Sequence, residues 1–276
     1  MPPIQQVWTR TLLLGVTAIA LSSPFALLSA QASTSAQPKA ISQQQTDKNT
    51  RRQQLFTPPP APNNGRAGVS RGTATRNGSC GKVDIPLTAL IPTYQTAEGT
   101  VPAGLTTSAH PTLWFYVPYE IKPERPAELR LETTDPATQA ITQRTVLRLT
   151  QAQPGIVGVR IPASESPMTV GQRYDWTFVV QCDPKSTSAN KFVELSLTRV
   201  QPVPLLAQQP PALSRERVVQ YAAAGLWENA FTLLAQLRTQ APKDAQLARD
   251  WADLLQAIAV PNLATQPISM SEGSTN

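Results

Sequence analysis

From Cys80 to about Val200 the apolar side chains come in short runs with a period of two, broken by turn-forming residues. In Tyr174-Asp175-Trp176-Thr177-Phe178 every second residue is apolar, and Val193, Leu195 and Leu197 alternate with Glu194, Ser196 and Thr198. A strand built this way turns one face to a core and the other to water. Further runs are Leu129–Leu131, Val146–Leu149 and Ile156–Ile161, punctuated by Asp135-Pro136, Pro167, Gly171 and Asp183-Pro184. Short strands with no helical segment between them predict a mainly β domain over residues 80–204. Its expected form is an antiparallel, immunoglobulin-like β-sandwich.

After a Pro/Gln-rich linker at 205–212 the period lengthens. Ser214 is placed to cap a helix carrying Val218, Val219, Tyr221 and Ala222, which Gly225 breaks. Trp227, Ala230, Phe231, Leu234 and Leu237 form the apolar stripe of a second helix, ended by Pro242. Asp244 caps a third, with Leu247, Trp251, Leu254, Leu255 and Ile258 on one face. The spacing predicts a small three-helix unit over 213–260, with 261–276 as a disordered tail.

One strand departs from alternation. Leu113-Trp114-Phe115-Tyr116-Val117 is apolar on both faces, and Tyr119 follows Pro118. Either this strand is covered on both sides, one cover being the helical unit, or Trp114, Tyr116 and Tyr119 form an exposed aromatic platform for sugar or peptide.

The N-terminus changes the picture of where the chain works. Arg10 is followed by an apolar stretch from Thr11 to Leu28 and then by Ala30-Gln31-Ala32. That order reads as a signal peptide over 1–32, cleaved between Ala32 and Ser33, with an uncleaved anchor as the alternative. Residues 33–79, rich in Gln, Ser, Thr, Pro and Asn, read as a disordered basic linker. Seven basic residues against Asp47 lie there, whereas from Cys80 onward 16 basic residues meet 17 acidic ones. The formal charge of +6 therefore belongs to a tail, which argues against nucleic acid as a partner. The tail either touches anionic envelope material or simply keeps a linker solvated.

Export also bears on Cys80 and Cys182, the two cysteines of the chain. In an oxidising compartment they pair as a disulfide, two buried free thiols being the competing reading. Candidate chemistry is sparse. His110 is the single histidine, read as an exposed loop residue. There is no phosphate loop or dinucleotide fingerprint. Glu120, Glu124, Glu128 and Glu132 fall at intervals typical of solvated turn and strand faces. No catalytic constellation, metal site or cofactor is expected.

Two resemblances follow from particular residues. Tyr221, Gly225, Ala230, Leu234 and Pro242 resemble the second half of a tetratricopeptide repeat. Ser214 and Arg217-Val218 stand where its opening residues belong, so the likeness is partial. The chain also resembles a cyanobacterial family known as domain of unknown function 928. The likeness is carried by Arg71-Gly72-Thr73, Leu87 to Pro92, Pro111 to Tyr119, Tyr174 to Pro184 and Tyr221 to Trp227. It implies export and a two-part architecture and implies no activity. The expectation is an exported, non-catalytic interaction or structural protein of the cell envelope, periplasmic or extracellular, with a protein or envelope polymer as partner. A carbohydrate-binding module using Trp114 and Tyr116 is the alternative, and an envelope hydrolase using carboxylates a weaker one.

Overall fold

A computed structural model describes residues 55–61, 67–72, 80–134, 141–207 and 213–274. The expected signal peptide and its Ala32–Ser33 junction lie outside the described residues, as does most of the linker. The described strands are β1 (Thr88–Ala89), β2 (Thr93–Thr96), β3 (Gly99–Thr106), β4 (Thr112–Val117), β5 (Ala127–Thr134), β6 (Ile141–Leu149), β7 (Gly155–Arg160), β8 (Arg173–Val180) and β9 (Lys191–Arg199). A helical turn α1 (Pro204–Ala207) leads to α2 (Arg215–Ala223), α3 (Trp227–Gln240) and α4 (Ala245–Ala257), and β10 (Ile268–Glu272) follows.

The strands form two mixed sheets, ordered β1-β4-β7-β10 and β2-β3-β9-β8-β5-β6. Phe115 of β4 stacks on Phe178 of β8, centroids 4.2 Å apart, so the two sheets meet across a shared apolar core. The alternating stretches read from the sequence fall in β8 and β9, with Tyr174, Trp176, Phe178, Val193, Leu195 and Leu197 all buried.

The antiparallel expectation is corrected at two places. β3 runs parallel to β9, from Ala103↔Ser196 to Thr106↔Arg199, and β10 runs parallel to β7, from Ile268↔Ile156 to Glu272↔Arg160. Alternation tells which face of a strand is buried; it does not carry the direction of a neighbour far away in sequence. The second pair also corrects the C-terminal tail. Ile268–Glu272 has little apolar content, but an edge strand is held by backbone hydrogen bonds, and β7 offers that edge.

The basic linker is corrected too, where it is described. Phe56 is fully buried in the core, its ring edge-on to Trp227 at 4.5 Å, and Arg71 bridges Thr88 beside β1. A lone aromatic within a Pro- and Gln-rich stretch carries no periodicity, so its burial leaves no pattern to read.

The helices start and stop where their caps dictate. The Ser214 Oγ accepts the Arg217 N–H, and the Asp244 carboxylate accepts the N–H groups of Gln246 and Leu247. Gly225 takes φ +72°, a left-handed turn that lets α3 double back on α2. α3 lies on the outer side of β4, where Phe231 meets both Trp114 and Trp251. The doubly apolar strand is thus a covered one, sheet on one side and helix on the other.

Candidate functional site

Trp114, Tyr116 and Tyr119 are 4%, 8% and 7% exposed. Rings that buried present no face on which a sugar could stack, which removes the platform. Trp114 instead lies over Gly158, where an added Cβ would come within 2.8 Å of its ring. Its indole N–H donates to the Thr232 Oγ1 of α3 at 2.8 Å. Burial pushes the phenols of Tyr116 and Tyr119 up from the ordinary value, the charge of Asp84 adding to the first and Tyr116 to the second.

Cys80 and Cys182 form a disulfide, their Cα atoms 4.7 Å apart. Cys80 precedes β1 and Cys182 directly follows β8, so the bond closes the chain across most of the β domain. Such a bond fits an oxidising, exported environment. No helix among the described residues is long and apolar enough to cross a membrane.

Glu120 and Glu124 are exposed, as expected of solvated turn faces, and Glu128 departs from that expectation. Glu128 is buried on β5, between Arg130 at 2.7 Å and Arg148 at 3.2 Å, and accepts from the Gln181 amide. Burial raises its pKa, but the two guanidinium groups outweigh that and hold it below the ordinary range. Among the described residues no three His, Cys, Asp or Glu side chains are grouped to hold a metal ion.

The place where polar chemistry converges is a cleft of about 240 Å³ between the helices and the β4–β7 side of the sheet. Its floor is Glu228, in the first turn of α3 and 5% exposed. Three donors hold it: the Thr106 hydroxyl at 2.6 Å, the Thr112 N–H at 2.9 Å and the Thr232 hydroxyl at 2.9 Å. Burial pushes its pKa up; the three hydrogen bonds and the Arg160 charge oppose without reversing that. Glu228 thereby ties β3, β4 and α3 together at one point. Nearby, the Thr107 N–H donates to the Asn229 Oδ1, a second link from the β3–β4 loop to α3.

The walls carry positive charge. Arg160 ends β7, exposed at the mouth; its backbone carbonyl accepts from the Gly273 N–H, and its guanidinium, which makes no hydrogen bond or ion pair to another described residue, acts on Glu228 through its charge. Arg217 of α2 is only 3% exposed; it donates to the Leu206 carbonyl and lies 5.7 Å over the Tyr221 ring. His110 lines the same cleft, half-buried rather than exposed. Its Nε2 meets the Glu165 carbonyl at 2.9 Å, and since a carbonyl only accepts, that nitrogen carries the proton.

The cleft escaped the sequence because its parts are isolated in the chain. Arg160, Arg217 and Glu228 belong to no motif, and each reads alone as an ordinary charged position. One signal was available: Glu228 follows Trp227 and precedes Ala230 and Phe231, so it lies beside the buried stripe of α3.

A family model described as Domain of Unknown Function (DUF928) matches residues 71–268. No curated protein and no solved structure matches the chain.

Proposed function

The chain belongs to the DUF928 family, and on that premise we propose that it is an exported, non-catalytic interaction protein of the cell envelope, with the helix–sheet cleft as its docking point. The observation that carries this reading is the cleft. It is lined by two arginines, and the single carboxylate among its lining residues is already held by three donors. A carboxylate so engaged positions the fold rather than moving protons. The cleft thus offers recognition, its Glu228 carboxylate and the His110 ring each already engaged by neighbouring groups. The partner is a protein or envelope polymer, and the basic stretch before the β domain adds a loose electrostatic tether. The three helices, read as a partial tetratricopeptide-like unit on an immunoglobulin-like sandwich, act as the outer wall of that docking point.

Cosedimentation of the exported protein with envelope fractions tests the reading. Gln236 lines the cleft on α3, so Gln236→Trp should fill it and abolish retention. Deleting residues 33–52, which removes Lys39, Lys48, Arg51 and Arg52 and stops short of Phe56, should lower only the salt-sensitive part. Full retention by the Gln236→Trp protein would overturn the docking assignment.

A further inference from the structure

We propose that the cleft recognises a small oxyanion, a carboxylate or a phosphate ester, displayed by the envelope partner, with Arg160 as its principal contact. This rests on the docking reading above and names the chemistry of what docks.

Three observations converge on an anion. First, the donors outnumber the available acceptors. The guanidinium of Arg160 has no hydrogen-bond or ion-pair partner among the described residues, reaches Glu228 only through its charge, and stands at the mouth, where a ligand first meets the wall. Arginine's planar fork matches the two oxygens of a carboxylate or phosphate. Secondly, the groups that could have neutralised it are committed elsewhere. Glu228 is the one acid among the lining residues; its oxygens are taken by Thr106, Thr112 and Thr232, and burial disfavours its ionised form. The Asn229 carbonyl oxygen is taken by the Thr107 N–H, which leaves its amide nitrogen as a donor. Thirdly, Arg217 is fixed rather than floppy. Its guanidinium is held by the Leu206 carbonyl and the Tyr221 ring face, so its charge stays on the cleft wall at no further ordering cost when a ligand arrives.

Size sets the rest. At about 240 Å³ the cleft is below the ~300–1,000 Å³ typical of pockets for drug-sized ligands. It takes an anionic end group and leaves the body of the partner outside. Leu213 and Leu233 at the rim supply apolar contact for the first carbons behind that group.

Calorimetric titration of the disulfide-bonded exported chain tests this with four probes: N-acetylglycinate and glycerol phosphate as anions, N-acetylglycinamide and glycerol as their neutral counterparts. At least one anion should bind tenfold or more tighter than its neutral counterpart, and which anion wins separates carboxylate from phosphate as the source. Arg160→Gln, at an exposed position whose side chain bonds to no other described residue, should keep the melting temperature and weaken that anion tenfold or more. Neutral probes binding as well as anions, an unchanged affinity in Arg160→Gln, or no binding of either anion would each overturn the inference. Envelope retention lost by Gln236→Trp while the anions fail to bind would leave the docking reading standing without this ligand chemistry. Retention unaffected by Gln236→Trp would remove both.

Discussion

Replacing Glu228 separates what its shape contributes from what its charge costs. In Glu228→Ala the Thr112 N–H, buried with its residue at the start of β4, loses its acceptor. The Thr106 and Thr232 hydroxyls lose theirs but can rotate; Thr106 still accepts the Ser108 N–H, and Thr232 still accepts the Trp114 indole. One stranded amide costs roughly 1–3 kcal/mol, and the emptied space behind it adds to this. The total should be about 2–5 kcal/mol, from the stranded amide and the cavity together. Glu228→Gln should behave differently. Its amide can accept from Thr112 and Thr232 and donate to Thr106, the same pattern as the protonated acid. Near pH 4 it should match the wild type within about 1 kcal/mol. The folded-state pKa of Glu228 is raised above the ordinary 4.5, so its contribution is fully present below that value and is lost as pH rises through the folded pKa. The glutamine has no such loss. Urea unfolding of both proteins at half-unit steps from pH 4 to 8, without reductant, gives the difference curve, in which the titrations common to both cancel. It should climb in favour of Glu228→Gln above pH 4.5. A curve that stays flat or turns in favour of the wild type would refute the reasoning, because the ionised carboxylate would then be a net stabiliser in place.

The disulfide joins residues 102 apart, so Cys80→Ser/Cys182→Ser should lose roughly 4–5 kcal/mol in the chain-entropy account; an unchanged denaturant midpoint on adding reductant would contradict it. Phe56→Ala empties a slot beside Trp227 and should cost about 3–5 kcal/mol, whereas removal of residues 33–50 should leave the thermal midpoint where it was. Gly158→Ala puts a methyl group into the Trp114 ring and should cost about 1–3 kcal/mol by overpacking, with a shift in tryptophan emission as the ring is displaced.

The sequence was informative wherever a residue's environment repeats along the chain. β8 and β9 betray themselves by alternation, α3 and α4 by their stripes, and Ser214 and Asp244 by their position before a helix. β4 was legible as an anomaly whose two apolar faces left a covered strand and an exposed platform both open, and the burial of Trp114, Tyr116 and Tyr119 decides for the first. β3 was not. Gly99–Thr106 contains Pro102 and small side chains, so it lacks the alternation of a half-buried strand although it is well buried. β10 and Phe56 escaped for the same reason in opposite forms. One is held by its backbone and by Ile268 against the core, with Met270 exposed, and the other by a single side chain, so neither stands out as a buried stretch. The cleft was least legible of all, because the charged residues that line it, Arg160, Arg217 and Glu228, share no motif and meet only in space.

The Cys80–Cys182 bond also decides how the protein would carry load. β1 through β8 lie between the two cysteines, and β9, the helices and β10 lie beyond them. A pull entering from an anchored N-terminus crosses at Cys80 directly to Cys182 without running through the intervening strands. The enclosed part of the β domain is thereby shielded from being drawn out end to end, and tension falls on β9 and the helical wall of the cleft. Under tension applied between the two ends of the chain, β9, the helices and β10 are then the parts that give way first, while the enclosed strands keep their pairing.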